Sequence, residues 1–369
     1  MENTSNIFLL LASLTEPYPS KPLIKKLYNS FENFPALFSA DLQTLSPKLK
    51  KEELEKVNEI KTAIKKCNLG EIKKSMDKSH IKFLAYCDKE YPQKLKDIND
   101  PPFGFFYKGD ISILRDSKAV AIVGTRAATN YGLNITKKIA SLLTEQNITV
   151  ISGLASGIDT ASHIGALKSG KTVAVLGTGV DIVFPASNRD LFKEMLDKGS
   201  LVLSEYPPGT EGAPWNFPQR NRIISALSDA VVVIEGDLQS GALITARFAI
   251  KQEKPLFALP GPIDSPASNG PNILIKSGVA ELLTSVQDIL EKIGESKQIK
   301  LDVKDDDAKL EELNENQKNI YRFLSSESKS FDSLIQETNL NVQDLLKDLS
   351  ILELKGLVEK LPDGGYVSL

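Results

Sequence analysis

From Lys118 onward, short and nearly unbroken apolar runs alternate with longer stretches in which apolar residues recur every three or four positions. The runs are KAVAIVG, ITVISG, KTVAVLG, SLVLSEY, DAVVVIEG and KPLFALPG. Their length and their Val, Ile, Leu and Ala content suit strands covered on both faces. The amphipathic stretches predict helices over 131–145, 157–169, 187–198, 218–227 and 241–252. Strand–helix alternation of this kind predicts an α/β fold: a doubly wound, mostly parallel, Rossmann-like sheet with right-handed crossovers, here placed over residues 81–290.

The flanks follow other patterns. Over residues 1–80, Ile7, Leu10, Leu11 and Leu14, then Leu23, Leu27 and Phe31, keep helical spacing, and Pro17, Pro19, Pro22 and Pro35 punctuate short helices. The stretch FENFPALFSADLQTL has the outline of a helix-hairpin-helix without its glycine turn. This segment reads as an accessory helical domain of SAM or helix-hairpin-helix type. Residues 291–312, EKIGESKQIKLDVKDDDAKLEE, are densely charged without an aromatic residue and read as a linker. Over 313–369, three short helical patterns precede a strand pair around LVEKLPDGGYVSL, with a turn at Asp363-Gly364, which predicts a winged helix.

Composition removes several classes of function. No apolar stretch approaches the roughly 20 residues that cross a bilayer. The opening MENTSNIFLLLASL starts acidic rather than basic, so it makes a poor signal peptide. Two cysteines, Cys67 and Cys87, do not suggest a disulfide framework, and two histidines, His80 and His163, do not suggest a histidine metal site. A cytoplasmic protein is expected. The net charge of −3 runs against nucleic acid as a partner. Yet Lys supplies most of the positive charge, and of the seven Arg residues five (Arg126, Arg189, Arg220, Arg222 and Arg247) fall in or beside loops that follow strands or open helices. The planar guanidinium fork suits bidentate phosphate contact in a way that Lys does not.

In open parallel sheets the ligand sits at the carboxyl ends of the strands, near the point where strand order reverses. There the first loop offers Gly124, Thr125 and Arg126 before a helix whose N-terminus attracts anions. The G-x-G-x-x-G spacing is absent, and the second strand ends ISG where a ribose-binding carboxylate would stand, so neither NAD nor another cofactor is expected. In ISGLASGIDTASHIGAL, Gly153 and Gly157 permit sharp turns, Asp159 and Thr160 suit capping, and His163 reads as a packed side chain. FPQRNRIISALS sets Arg220, Asn221 and Arg222 at the opening of a helix; at least one guanidinium should face the pocket, with a salt bridge open to the other. Ser240, Gly241 and Ala242 begin another helix, with Thr245 one turn on. Trp215 and Phe217 suit either base stacking or core packing.

In order and spacing, GTR, SGLASGID, KTVAVLGTGVD-x-x-FP, LSEYPPG, FPQRNRIISALS, SGALITA and ALPG resemble the DNA-processing protein A family, also called Smf; DPPFGFFYKG just upstream also fits. The resemblance implies a homodimer that binds single-stranded DNA, protects incoming DNA and loads a RecA-type recombinase during natural transformation, without catalytic turnover. Two positions depart from the family pattern by losing charge: Ala186 follows Pro185, and Ser156 follows SGLA. Arg189 and Lys171 are the expected compensation. The rival is a nucleotide hydrolase with a PGGxGT-xx-E motif. Setting Thr245 on that motif's Thr puts Phe248 where its Glu belongs, leaving Glu235 or Asp237 as substitutes. A third reading, a regulator reading DNA through the winged helix, meets an adverse charge. From Leu310 to Leu369, six Lys or Arg stand against eleven Asp or Glu, a net of −5. The recognition helix is expected to expose Asp344, Asp348 and Glu353 against Lys347 and Lys355, which suits a protein partner better than phosphates.

Overall fold

Each apolar run forms a strand in the computed structural model, which describes residues 4–14, 20–31, 34–39, 49–116, 118–295, 313–324, 329–355, 357–360 and 364–368. These are β3 (Ala119–Val123), β4 (Thr149–Ser152), β5 (Thr172–Leu176), β6 (Leu201–Ser204), β7 (Ala230–Val233) and β8 (Leu256–Ala258), and every residue in them is buried. Burial on both faces explains why the runs are continuous rather than alternating. The five expected helices lie at Asn130–Glu145, Ile158–Ser169, Arg189–Asp197, Asn216–Leu227 and Gly241–Lys251, each end within two residues of the pattern.

Three further strands complete the sheet: β1 (Lys82–Ala85), β2 (Gly104–Gly109) and β9 (Glu281–Leu282). Among the described residues the order is β1-β2-β6-β5-β4-β3-β7-β8-β9. β1 and β2 are antiparallel to each other and β2 to β6, and every other neighbouring pair is parallel. From β3 the chain winds outward through β4, β5 and β6. It then returns to the centre and winds the other way through β7, β8 and β9. The reversal therefore falls between β3 and β7, which pair in register from Val120↔Ala230 to Val123↔Val233. The loops leaving these two strands part to opposite faces and open a crevice.

The chain divides into two compact units, Met1–Lys297 and Gln298–Leu369. Within the first, the helices Thr4–Ser13, Lys21–Ser30 and Lys51–Lys66 pack their apolar faces into the same core as the sheet, so Ile7, Leu11 and Leu27 join Phe105, Val175 and Leu203. Phe8 stacks on Phe34 at 5.1 Å and lies 5.7 Å from Tyr86, which follows β1. A buried charge network crosses the same seam. Glu205, just after β6, accepts both Arg222 Nη2 bonds at 2.8 and 2.7 Å and pairs with Lys21 at 2.6 Å, while Arg222 Nε reaches Asp100 at 2.8 Å. No break in packing falls at residue 80. Most of the helix-hairpin-helix-like stretch lies outside the described residues.

The second unit contains the helices Glu315–Leu324, Phe331–Thr338 and Val342–Leu354, then β10 (Val358–Lys360) antiparallel to β11 (Tyr366–Ser368). Its own core gathers Ile320, Leu334, Leu345, Leu349, Leu352 and Leu357. The linker beyond Glu295 and Asp363 of the expected turn lie outside the described residues. One expectation is corrected here. Asp348 points inward, 5% exposed, and accepts from Gln317 Nε2 at 2.8 Å. Helical phase puts it on the apolar side beside Leu345, Leu349 and Leu352, and the Gln317 amide satisfies its carboxylate. The helix Val342–Leu354 thus exposes Asp344 and Glu353 against Lys347, together with two apolar side chains, Val342 and Leu346.

Candidate nucleic-acid interface

The two loops that flank the crevice are tied to each other. Thr125 N–H donates to Glu235 O at 2.8 Å, and the Glu235 carboxylate accepts from Thr129 Oγ1 at 2.5 Å and Thr129 N–H at 2.9 Å. Glu235 is 5% exposed, and a Cβ on Gly132 would meet its carboxylate at 2.4 Å. This buried acid braces the β3 loop at the N-terminus of the helix Asn130–Glu145. Gly157 takes φ +78°, and a Cβ there would press on Thr125 O at 2.4 Å, so the β4 loop closes onto the β3 loop only with glycine.

Between the loops lies a cavity of about 650 Å3, lined among others by Gly124, Thr125, Arg126, Arg220, Asn221, Ser240, Gly241 and Thr245. Eight residues singled out from the sequence thus converge at the strand-order reversal. The Arg220 side chain is buried; its Nη1 donates to Gly153 O at 2.6 Å and to Val175 O, and its Nε to Asn221 Oδ1 at 3.1 Å. Gly153 is required because Arg220 fills the space of a Cβ. Burial lowers the Arg220 pKa to about 10; Asp159 works against that and Arg126 adds to it. Asp159, also buried, accepts from Gly153 N–H at 3.1 Å and Ala155 N–H at 3.3 Å, so it holds the β4 loop and does not cap the helix. Burial raises its pKa, against the pull of Arg220.

With Asp159 opposed by Arg220, Arg126 is the exposed cation of the lining, its guanidinium 5.4 Å from the Phe217 ring centroid. Phe217 in turn lies 5.4 Å from Phe184, which is 47% exposed, and Trp215 is 70% exposed. For Trp215 that exposure rules out core packing. Phe184 belongs to the D-x-x-FP motif but was not singled out as a site residue; its signals were that motif and a large aromatic in a loop after a strand. On the other wall Ser240 Oγ accepts from Ala242 N–H at 3.3 Å and so caps the helix Gly241–Lys251. The Gly241 amide and the Thr245 hydroxyl have no partner among the described residues.

Of the other expected site residues, Gly153 and Gly157 shape the β4 loop without lining the cavity, and three more lie outside it. Lys171 precedes β5 and so stands at the opposite edge of the sheet, paired with Asp110 at 3.1 Å. Arg222 is 1% exposed inside the Glu205 network; two positions from Arg220 on one helix is a turn of about 200°, so the two side chains cannot share a cavity. Arg189 is exposed at the start of the helix Arg189–Asp197, on the correct edge but outside the lining. His163 is fully buried, with Nδ1 at 2.8 Å from Thr172 Oγ1, and burial lowers its pKa to about 3. For hydrolysis, Glu235 is committed to Thr129, and Phe248 does not line the cavity. A larger cleft of about 1060 Å3 occupies the opposite edge. Its Lys94 and Lys118 are paired with Asp229, and the helices reaching it end there with Gln146 and Leu227, whose dipoles oppose an anion.

Fold and cleft together define a protein of the doubly wound α/β class, with an exposed Arg, aromatic rings and a helix N-terminus around a crevice at the strand-order reversal. The chain belongs to the DNA recombination-mediator protein A family, whose model matches residues 82–294; the DprA winged helix domain matches residues 304–364. It is 40% identical over 216 residues to DNA processing protein DprA of Bacillus subtilis, covering 58% of this chain and 72% of that one. Protein Smf of Escherichia coli is 36% identical over 298 residues, 78% of this chain and 77% of its own. Among solved structures, DNA processing protein A of Streptococcus pneumoniae superimposes with a TM-score of 0.66 at 32% identity, over 79% of this chain and 98% of that one. The Helicobacter pylori DNA processing protein A, described for its single-stranded DNA binding mode, gives a TM-score of 0.54 at 30% identity, over 60% and 99%. No described helix is long and apolar enough to cross a membrane.

Proposed function

We propose that this protein binds single-stranded DNA in the crevice between the β3 and β7 loops, protects incoming strands, and loads a RecA-type recombinase onto them during natural transformation. It acts as a cytoplasmic homodimer and without catalytic turnover. One observation carries the binding reading: an exposed Arg126 lies over Phe217, beside exposed Phe184 and Trp215, across a cavity from the open N-terminus at Gly241. Cation and helix N-terminus suit phosphates, and the rings suit unstacked bases, which only a single strand offers. The single-stranded DNA binding described for the Helicobacter pylori relative supports this reading. Arg189, exposed at the start of the helix Arg189–Asp197 on the same edge of the sheet, extends the path for the strand.

The test is an electrophoretic shift series with single- and double-stranded oligonucleotides of equal length across salt concentrations. Preference for the single strand, with log K falling linearly in log salt, is expected. Equal affinity for duplex would overturn the assignment. Nucleoside monophosphates incubated with the protein should be recovered intact, since Glu235 is committed to Thr129 and Asp237 is held in its ionised form by Asn269 and the Leu238 amide, which leaves it no proton to give as a general acid; release of free base would instead favour the hydrolase reading.

A further inference from the structure

A strand held along the mouth of the cavity has no need of a hydroxyl in its depth, yet one is there. Thr245 is 1% exposed, lines the cavity, and has no hydrogen-bond partner among the described residues. One turn earlier on the same eleven-residue helix the Gly241 amide is likewise unpartnered, and a Cβ on Gly241 would meet nothing within 4 Å, so the backbone there is open to a ligand. A helix N-terminus and a hydroxyl one turn on make a two-donor seat for a phosphate. Across the cavity, Arg126, Phe217 and Phe184 offer a cationic and aromatic wall. The volume, about 650 Å3, is in the range of small-molecule sites.

We propose that this cavity also binds free nucleoside 5′-monophosphates, with the phosphate on the Gly241 amide and Thr245 hydroxyl and the base against Phe217 and Phe184, in competition with single-stranded DNA. The inference rests on the reading of the cavity as the DNA phosphate site. It adds a ligand that enters the cavity, so that nucleotide pools would tune DNA occupancy. Of the two carboxylates in the lining, Asp159 is opposed by Arg220 and accepts from two amides, while Asp237 accepts from Asn269 Nδ2 at 3.1 Å and Leu238 N–H at 2.8 Å, which keep it ionised, so Arg126 and the Gly241 amide are the groups set against its charge.

The full-length protein is titrated calorimetrically with dAMP, with deoxyadenosine and with inorganic phosphate, and dAMP is then used to displace a labelled oligonucleotide. Saturable binding of dAMP, at least about tenfold tighter than either half alone, and displacement of the oligonucleotide are expected. Thr245→Val, which keeps the shape, should weaken dAMP about tenfold, the value of a hydrogen bond to a charged group; Thr245→Ser should restore it. Oligonucleotides with and without a 5′-phosphate separate two sources of the same chemistry. A gain from the phosphate extends the seat to strand ends, and equality confines it to free nucleotides. Protein that binds the oligonucleotide but not dAMP at millimolar concentration overturns the inference alone, as does dAMP binding indifferent to Thr245→Val. Protein that binds neither overturns the DNA reading as well.

Discussion

Arg126 is where charge and exposure coincide, and its removal separates phosphate binding from folding. Arg126→Ala should weaken single-stranded DNA binding and reduce the salt slope by roughly 0.7, the share of one phosphate on a single strand. Circular dichroism should remain unchanged, because the side chain is exposed and lies against the Phe217 ring without an ion pair among the described residues. A folded variant with unaltered slope would exclude the contact. His163 carries a different test. Its pKa is depressed by burial to about 3, so its contribution to stability is complete above the unfolded value near 6.5 and is lost as pH falls toward 3. Between pH 6 and pH 4 one proton should cost about 1.4 kcal/mol per pH unit, and His163→Asn should remove that slope from denaturant midpoints. Parallel pH curves for the two proteins would refute it. At this scale the sequence left one assignment open. Arg220 and Arg222 look alike in FPQRNRIIS, one expected in the pocket and a salt bridge open to the other, and helical phase sends Arg220 to the cavity and Arg222 to Glu205. The phase was readable from spacing; the buried acid waiting for Arg222 was not, because Glu205 comes from the segment just after β6.

Among the elements, the central strands were legible because burial on both faces leaves no polar position to confuse the pattern. β1 and β2 were not, because KFLA and GFFYKG lie at the antiparallel edge beside turns and proline, and their pairing with β6 is a long-range event. The winged helix was legible as a set of elements, while the exposure of its charges was not: Asp348 is satisfied by Gln317, two helices earlier in the chain. With Asp344 and Glu353 exposed against Lys347, and with Val342 and Leu346 also exposed, the helix still lacks the cationic face that a groove reader needs. Deleting residues 310–369 should therefore leave single-stranded DNA affinity within about tenfold, 1.4 kcal/mol. At low salt a slight gain is expected, since the deleted segment carries six positive against eleven negative residues, a net of −5. A larger loss in a folded truncated protein would place DNA on the terminal unit.

For the whole molecule, the net charge of −3 means that attraction to DNA must come from local arrangement, namely Arg126 and a helix N-terminus, and not from a broad basic field. Contacts to phosphates and sequence-tolerant stacking predict little discrimination among base sequences. Unrelated oligonucleotides of matched length should bind within about a hundredfold, or 2.7 kcal/mol. A wider spread in competition assays would mean that base edges are read. The seam between the leading helices and the sheet has a bearing on ancestry and exchange. A recombined gene that swapped only the first eighty codons would have to bring matching partners for Tyr86 and Glu205, or leave the buried Glu205–Arg222 pair without its Lys21 cation. The leading helices and the sheet are thus expected to be inherited as one piece, whereas the terminal unit, with a core of its own, can be gained, lost or replaced.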